Sequence, residues 1–169
     1  MARARRSTGC TAVGLFVLVG LTASCELADT REEPCSGADG LQEVHAELLA
    51  CAGWLDFVTA NVCTVEYTLA IPATRQNIHV LGRTFCAEGR ILVATAGPRK
   101  GLNLPPLSPV EVVTTIVHEA AHLADACLNG EPPALAAEEA FREDLCAAFA
   151  AGKPGCRAAR DYCPASAKP

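Results

Sequence analysis

Aromatic side chains are scarce in this chain: one Trp, two Tyr and five Phe among 169 residues, with a single Met. A core must therefore be assembled from Leu, Val, Ile and Ala. Basic charge is also in deficit, fourteen Lys and Arg against nineteen Asp and Glu, for a net charge of -5. Without a basic surplus there is nothing to neutralise a phosphate backbone, and nucleic acid is not an expected partner. No CxxC occurs, which argues against zinc-ribbon and thioredoxin-like sites. The length suits one domain.

What the chain does carry begins at its N-terminus. "MARARR" is a basic segment, "TAVGLFVLVGL" an apolar one, and the small residues "TAS" lead into Cys25. This order predicts a signal peptide over 1–24, its apolar run too short for a confident membrane span. The end resembles a bacterial lipoprotein signal, in which the cysteine after small residues is lipidated. It departs from that pattern in having Thr22 three residues before Cys25, with Leu21 one further back; cleavage near Ala23 or Ser24 is the alternative. Residues 25–37, polar and containing Pro34, are expected to form a tether. Residues 38–169 then make a single domain, exported to the periplasm or outer envelope as a lipoprotein, with Cys25 as a membrane tether, or secreted.

Ten cysteines are many for this length. Cys10 leaves with the signal. If Cys25 carries lipid, Cys35, Cys51, Cys63, Cys86, Cys127, Cys146, Cys156 and Cys163 remain, an even set able to form four disulfides in an oxidising compartment. The pairing is not legible in the sequence; Cys127–Cys146 between neighbouring helices and Cys156–Cys163 across a short loop are the simplest guesses.

Apolar residues recur at helical spacing from Asp39 to about Val58, including Leu41, Val44, Leu48, Cys51 and Leu55. "CTVEYTLAI", "NIHVLGRTF" and "RILVATAG" are short runs rich in β-branched and aromatic residues, which predict a small antiparallel or mixed sheet, mostly antiparallel. "GPRKGLNLPPLSP" is a loop. Ser108, Pro109 and Glu111 then form an N-cap, a first-turn proline and a capping box, opening a helix expected to reach about Leu128. Another helix is expected over 134–150, carrying Leu135, Phe141, Leu145 and Phe149. The fold class is α+β, stapled by disulfides.

The first of these two helices contains "TTIVHEAAHLAD". Positions i and i+4 share a helix face, so His118 and His122 can present imidazole nitrogens to one point. Two such ligands suit a tetrahedral zinc, which needs one more protein ligand and keeps a place for water. Glu119 projects about 100° from His118, where its carboxylate can reach that water. "HEAAH" is thus an HExxH motif, two ligands plus a general base. A shuffle of this composition gives it on the order of one time in a hundred, so an incidental histidine pair is the weaker reading.

On these residues the chain resembles the zincin metallopeptidases, over roughly Glu111 to Phe149 and before that only in general layout. The resemblance implies a zincin-like sheet packed against the motif helix and the helix after it. It also implies Zn2+ as cofactor, a peptide or protein substrate, His118 and His122 as ligands, and Glu119 as the catalytic base acting on a zinc-held water. No HxxGxxH continuation follows, so the third ligand is sought on the next helix. There "EEAFRED" resembles the gluzincin arrangement, with Glu139 as ligand and Glu143 as its partner. Glu138 is the rival, since it falls on the apolar stripe with Phe141, Leu145 and Phe149, where a carboxylate is costly unless paired or metal-bound. Asp125, three residues after His122, could orient an imidazole; Tyr67 or His79 could polarise an oxyanion. His45 is expected to be exposed. The alternatives to a hydrolase are a zinc-binding protein that does not cut, and a disulfide-rich envelope binding protein without metal.

Overall fold

A computed structural model describes residue 35 and residues 37–71, 80–97 and 105–163. In chain order these give α1 (Glu43–Ala52), α2 (Leu55–Asn61), β1 (Thr64–Thr68), β2 (Gly82–Phe85), β3 (Arg90–Ala94), α3 (Pro109–Ala124) and α4 (Glu131–Ala150), with short 3-10 turns over Cys86–Glu88 and Cys156–Ala159. The fold is mixed α+β. The signal segment, Cys25 and most of the expected tether lie outside the described residues.

The sheet has three strands in the order β1-β3-β2. It is not mostly antiparallel: β3 pairs parallel with β1 and antiparallel with β2. The 3-10 turn after β2 ends at Gly89, whose left-handed φ of 61° reverses the chain into β3. Arg90 ties the strand ends together, bonding Glu66 at 3.0 Å and Glu88 at 2.9 Å beneath the Phe85 ring.

α3 is the central element and packs against α1, α2, α4, β2 and β3. Its capping box forms as expected, with Ser108 N–H donating to Glu111 and the Glu111 N–H to Ser108 Oγ. Val110, Val113, Ile116, Val117, Ala120 and Leu123 are fully buried, with Leu48, Val58, Ile91, Phe141 and Leu145 around them. Each such aliphatic side chain contributes about 1.5–3 kcal/mol relative to exposure, which is how a core with few aromatics holds.

Three boundaries differ from the sequence expectation, each for a local reason. The helical stretch over 39–58 is two helices, because Gly53 takes a left-handed φ of 83° and closes α1. α3 stops at Ala124 rather than Leu128; Ala126 and Cys127 adopt left-handed φ values of 54° and 61°, and a disulfide holds Cys127. α4 starts at Glu131 rather than Ala134, because Pro132 and Pro133 sit in its first turn, where a missing N–H costs nothing.

All eight described cysteines pair, as Cys35–Cys63, Cys51–Cys156, Cys86–Cys127 and Cys146–Cys163. Neither guessed pair forms: Cys127 joins the turn after β2, and Cys146 reaches the C-terminal Cys163. Cys35 is bonded to the sheet through Cys63, and Asp39 bridges beside Thr64, so the chain is tied down before the expected end of the tether. The bridges are compatible with an extracellular protein, and among the described residues no helix is long and apolar enough to cross a membrane.

Candidate metal centre

Because α3 is buried on most of its circumference, its two histidines reach solvent only along one narrow stripe. The rings of His118 and His122 stand 5.0 Å apart, and their side chains are 16% and 14% exposed. α4 returns antiparallel beside α3 and brings its first residue, Glu131, over both rings. His118 Nε2 lies 3.2 Å from Glu131 Oε2, and His122 Nε2 lies 3.8 Å from Glu131 Oε1. One ligand atom from each of the three residues falls within 4.8 Å of the others. Around a tetrahedral zinc with bonds of about 2.0–2.2 Å, neighbouring ligand atoms sit roughly 3.3–3.5 Å apart. Two imidazoles and a carboxylate are a donor set that could hold a metal ion; the His118–Glu131 pair at 3.2 Å is close to that spacing and the His122–Glu131 pair at 3.8 Å is wider.

His118 is also oriented from its other side. Its Nδ1 lies 3.2 Å from Glu138 Oε2, and Arg142 holds the second Glu138 oxygen. A carboxylate thus faces each ring nitrogen of His118; when Nδ1 donates to Glu138, Nε2 is the nitrogen left to meet a cation beside Glu131. Glu138 thereby has the geometry of a carboxylate that orients a ligating imidazole.

Glu119 points to the buried side of the same cleft and is 7% exposed. Thr84 on β2 donates its hydroxyl to Glu119 Oε2 at 2.5 Å. Gly82, also on β2, leaves the slot that the Glu119 side chain fills: a Cβ there would lie 2.6 Å from Glu119 Cγ and 2.7 Å from Cδ. Burial pushes the carboxyl above its ordinary range, while the Thr84 hydroxyl and the two imidazoles pull it back.

The structure separates the remaining candidates. Glu139 and Glu143 are exposed and line no part of this cleft; with α4 beginning at Glu131, they occupy its solvent side. Glu138, the rival, faces His118. Both carboxylate oxygens of Asp125 are buried with no hydrogen-bond partner among the described residues, so they orient neither imidazole. Tyr67 lies on β1, across the sheet from β2, and its hydroxyl meets His45 Nδ1 at 2.8 Å. His45 is buried, 4% exposed, contrary to expectation, because it stacks on the Tyr67 ring; desolvation holds its pKa below the ordinary value. His79 lies outside the described residues.

Sequence reasoning missed Glu131, Thr84 and Gly82. "NGEPP" held a signal for the first, since two prolines fit a first helical turn and place the preceding Glu at its start. The other two are set by contact between β2 and α3, which no local pattern encodes. The cleft, about 720 Å³, is closed by Val80 and Leu81 before β2 and by Cys127 after α3. No protein-family model, curated protein or solved structure matches the chain.

Proposed function

We propose that this protein is a zinc-dependent peptide hydrolase of zincin type. His118, His122 and Glu131 are its ligands, Glu119 is its general base, and Glu138 orients His118. The observation that carries the reading is the convergence of two imidazole nitrogens and one carboxylate within 4.8 Å, beside a buried carboxylate that is not one of the three. Zinc supplies Lewis acidity when bound, polarising a carbonyl and making water a stronger acid. Glu119, fixed between Gly82 and Thr84, takes the proton of the attacking water and passes it to the leaving amine nitrogen. Glu138 keeps the His118 proton on Nδ1.

Peptide or extended protein segments are the substrates that this reading implies. The four disulfides and the basic, apolar, small-residue order before Cys25 support export to the envelope or beyond, with Cys25 as a lipid anchor.

Metal content by mass spectrometry on the oxidised protein, with cleavage of a mixed peptide library, tests the assignment. About one zinc per chain is expected. It should be lost in His118→Ala and Glu131→Gln, and kept in Glu139→Gln. Glu119→Gln should keep zinc and lose turnover. Absence of zinc from the wild type after metal loading would sink the proposal. Zinc that binds through His118 without any cleavage would leave a metal-binding protein that does not cut.

A further inference from the structure

The six described Lys and Arg residues are unevenly placed. Arg90 and Arg142 are ion-paired, and Arg83, on β2, has no ion-pair partner among the described residues. The other three, Lys153, Arg157 and Arg160, fall within eight residues and line one concavity of about 610 Å³, with Phe149 and Pro154 as its apolar wall. Among the described residues no acid pairs with any of them, although Asp161 adjoins Arg160 in sequence. In a chain of net charge -5, this is a local positive potential that nothing within the described fold neutralises.

The backbone beneath these cations is fixed. Cys156 is bonded to Cys51 of α1, and Cys163 to Cys146 of α4. Gly155, at a left-handed φ of 82°, lets the loop press on α1: a Cβ there would lie 3.2 Å from the Glu47 carbonyl oxygen. The Lys153 amide already donates to Ala148 O at 3.1 Å, so Lys153 offers the concavity its side chain. To such a cluster a phosphate group presents three or four acceptor oxygens and up to two negative charges, against two oxygens and one charge for a carboxylate.

We propose that this concavity binds a phosphate group, free or esterified, the wall of Phe149 and Pro154 taking up an organic substituent. The site is separate from the metal centre: Glu131 and Phe149 are eighteen residues apart on one helix, about 27 Å along its axis. Two sources share the chemistry, a phospholipid headgroup and a soluble phosphate.

The test is titration of the oxidised full chain with inorganic phosphate, followed by amide shifts. It is paired with co-sedimentation on vesicles of phosphatidylcholine alone or mixed with phosphatidylglycerol. Arg157→Ala/Arg160→Ala is the test variant and Arg83→Ala the control, each checked for an unchanged melting temperature. Saturable shifts over residues 152–160, weakened about tenfold or more in the double variant and unaffected by Arg83→Ala, are expected. They should also weaken as salt rises. Capture by the anionic vesicles only, competed by phosphate, would assign the headgroup; phosphate binding without vesicle capture would assign a soluble ligand. No saturation with either probe, or equal binding by the double variant, would overturn the proposal.

Discussion

Replacing Gly82 by Ala tests the support of Glu119 without touching any proposed ligand. The backbone at Gly82 is outside the left-handed region, so alanine is conformationally allowed. By itself it stabilises by about 0.4–1 kcal/mol, through loss of freedom in the unfolded chain. Against this stands a Cβ 2.6 Å from Glu119 Cγ, where ordinary contact begins at 3.4 Å. Glu119 must retreat by about 0.8 Å at Cγ and by more at Oε1, which is nearer still, and the bond to Thr84 at 2.5 Å goes with it. Overpacking of this degree costs about 1–3 kcal/mol, so a net loss of up to about 2.6 kcal/mol is expected. Urea unfolding of the metal-free, oxidised protein measures it. The decisive comparison is the same substitution in a Glu119→Ala background, where the obstruction is gone and Gly82→Ala should be neutral or stabilising. On the proposed hydrolase reading, the zinc-loaded variant should keep its metal while turnover falls by about a hundredfold, because the proposed base is displaced. An equal cost of Gly82→Ala in both backgrounds would refute the idea that β2 holds Glu119 in place.

Two further outcomes follow from the same geometry. His45 is buried and its folded pKa lies below the ordinary value, so the unfolded chain takes up a proton that the folded chain refuses. Its contribution is complete above about pH 6.5 and declines as pH falls from there towards the folded pKa. Urea unfolding between about pH 5 and pH 8 should show a shallower slope in His45→Gln than in wild type, and matching slopes would remove His45 as the cause. Among the disulfides, Cys51–Cys156 closes a separation of 105 residues and Cys146–Cys163 one of 17. Paired Cys→Ala substitutions should cost up to about 4.7 and about 3 kcal/mol respectively, the first reduced by the Cys86–Cys127 bridge nested inside its loop. A larger fall in melting temperature for the 146/163 pair would contradict that ordering.

What was legible in the sequence is what is local. The start of α3 was written in Ser108, Pro109 and Glu111, each acting on its own turn, and its histidine pair needed only the helical period. The even set of eight cysteines announced four bridges, but not their partners, which depend on how α1, α4 and the C-terminal turn come together. Glu139 was preferred over Glu138 on a likeness to another helix pattern, and the wheel alone had no means of aiming α4 at α3. That aim is set by where α4 begins, a decision made by Pro132 and Pro133. His45 looked like a surface residue because its partner, Tyr67, lies on a strand 22 positions away.

The cysteine connectivity has a bearing on how the molecule comes into being. As the chain emerges from its N-terminus, Cys51 meets Cys35 first, and Cys35 is destined for Cys63. The partner of Cys51 arrives only 105 residues later. Cys86 likewise waits for Cys127 while Cys63 lies nearer to hand. Of the four bridges only Cys86–Cys127 joins cysteines that are neighbours in order of synthesis, and bonds made two by two in order of appearance, beginning with Cys35–Cys51, are wrong and must be undone. Maturation of this protein therefore runs at the pace of thiol–disulfide exchange, seconds to hours without an isomerase. Its yield depends on a compartment that can rearrange bridges as well as make them.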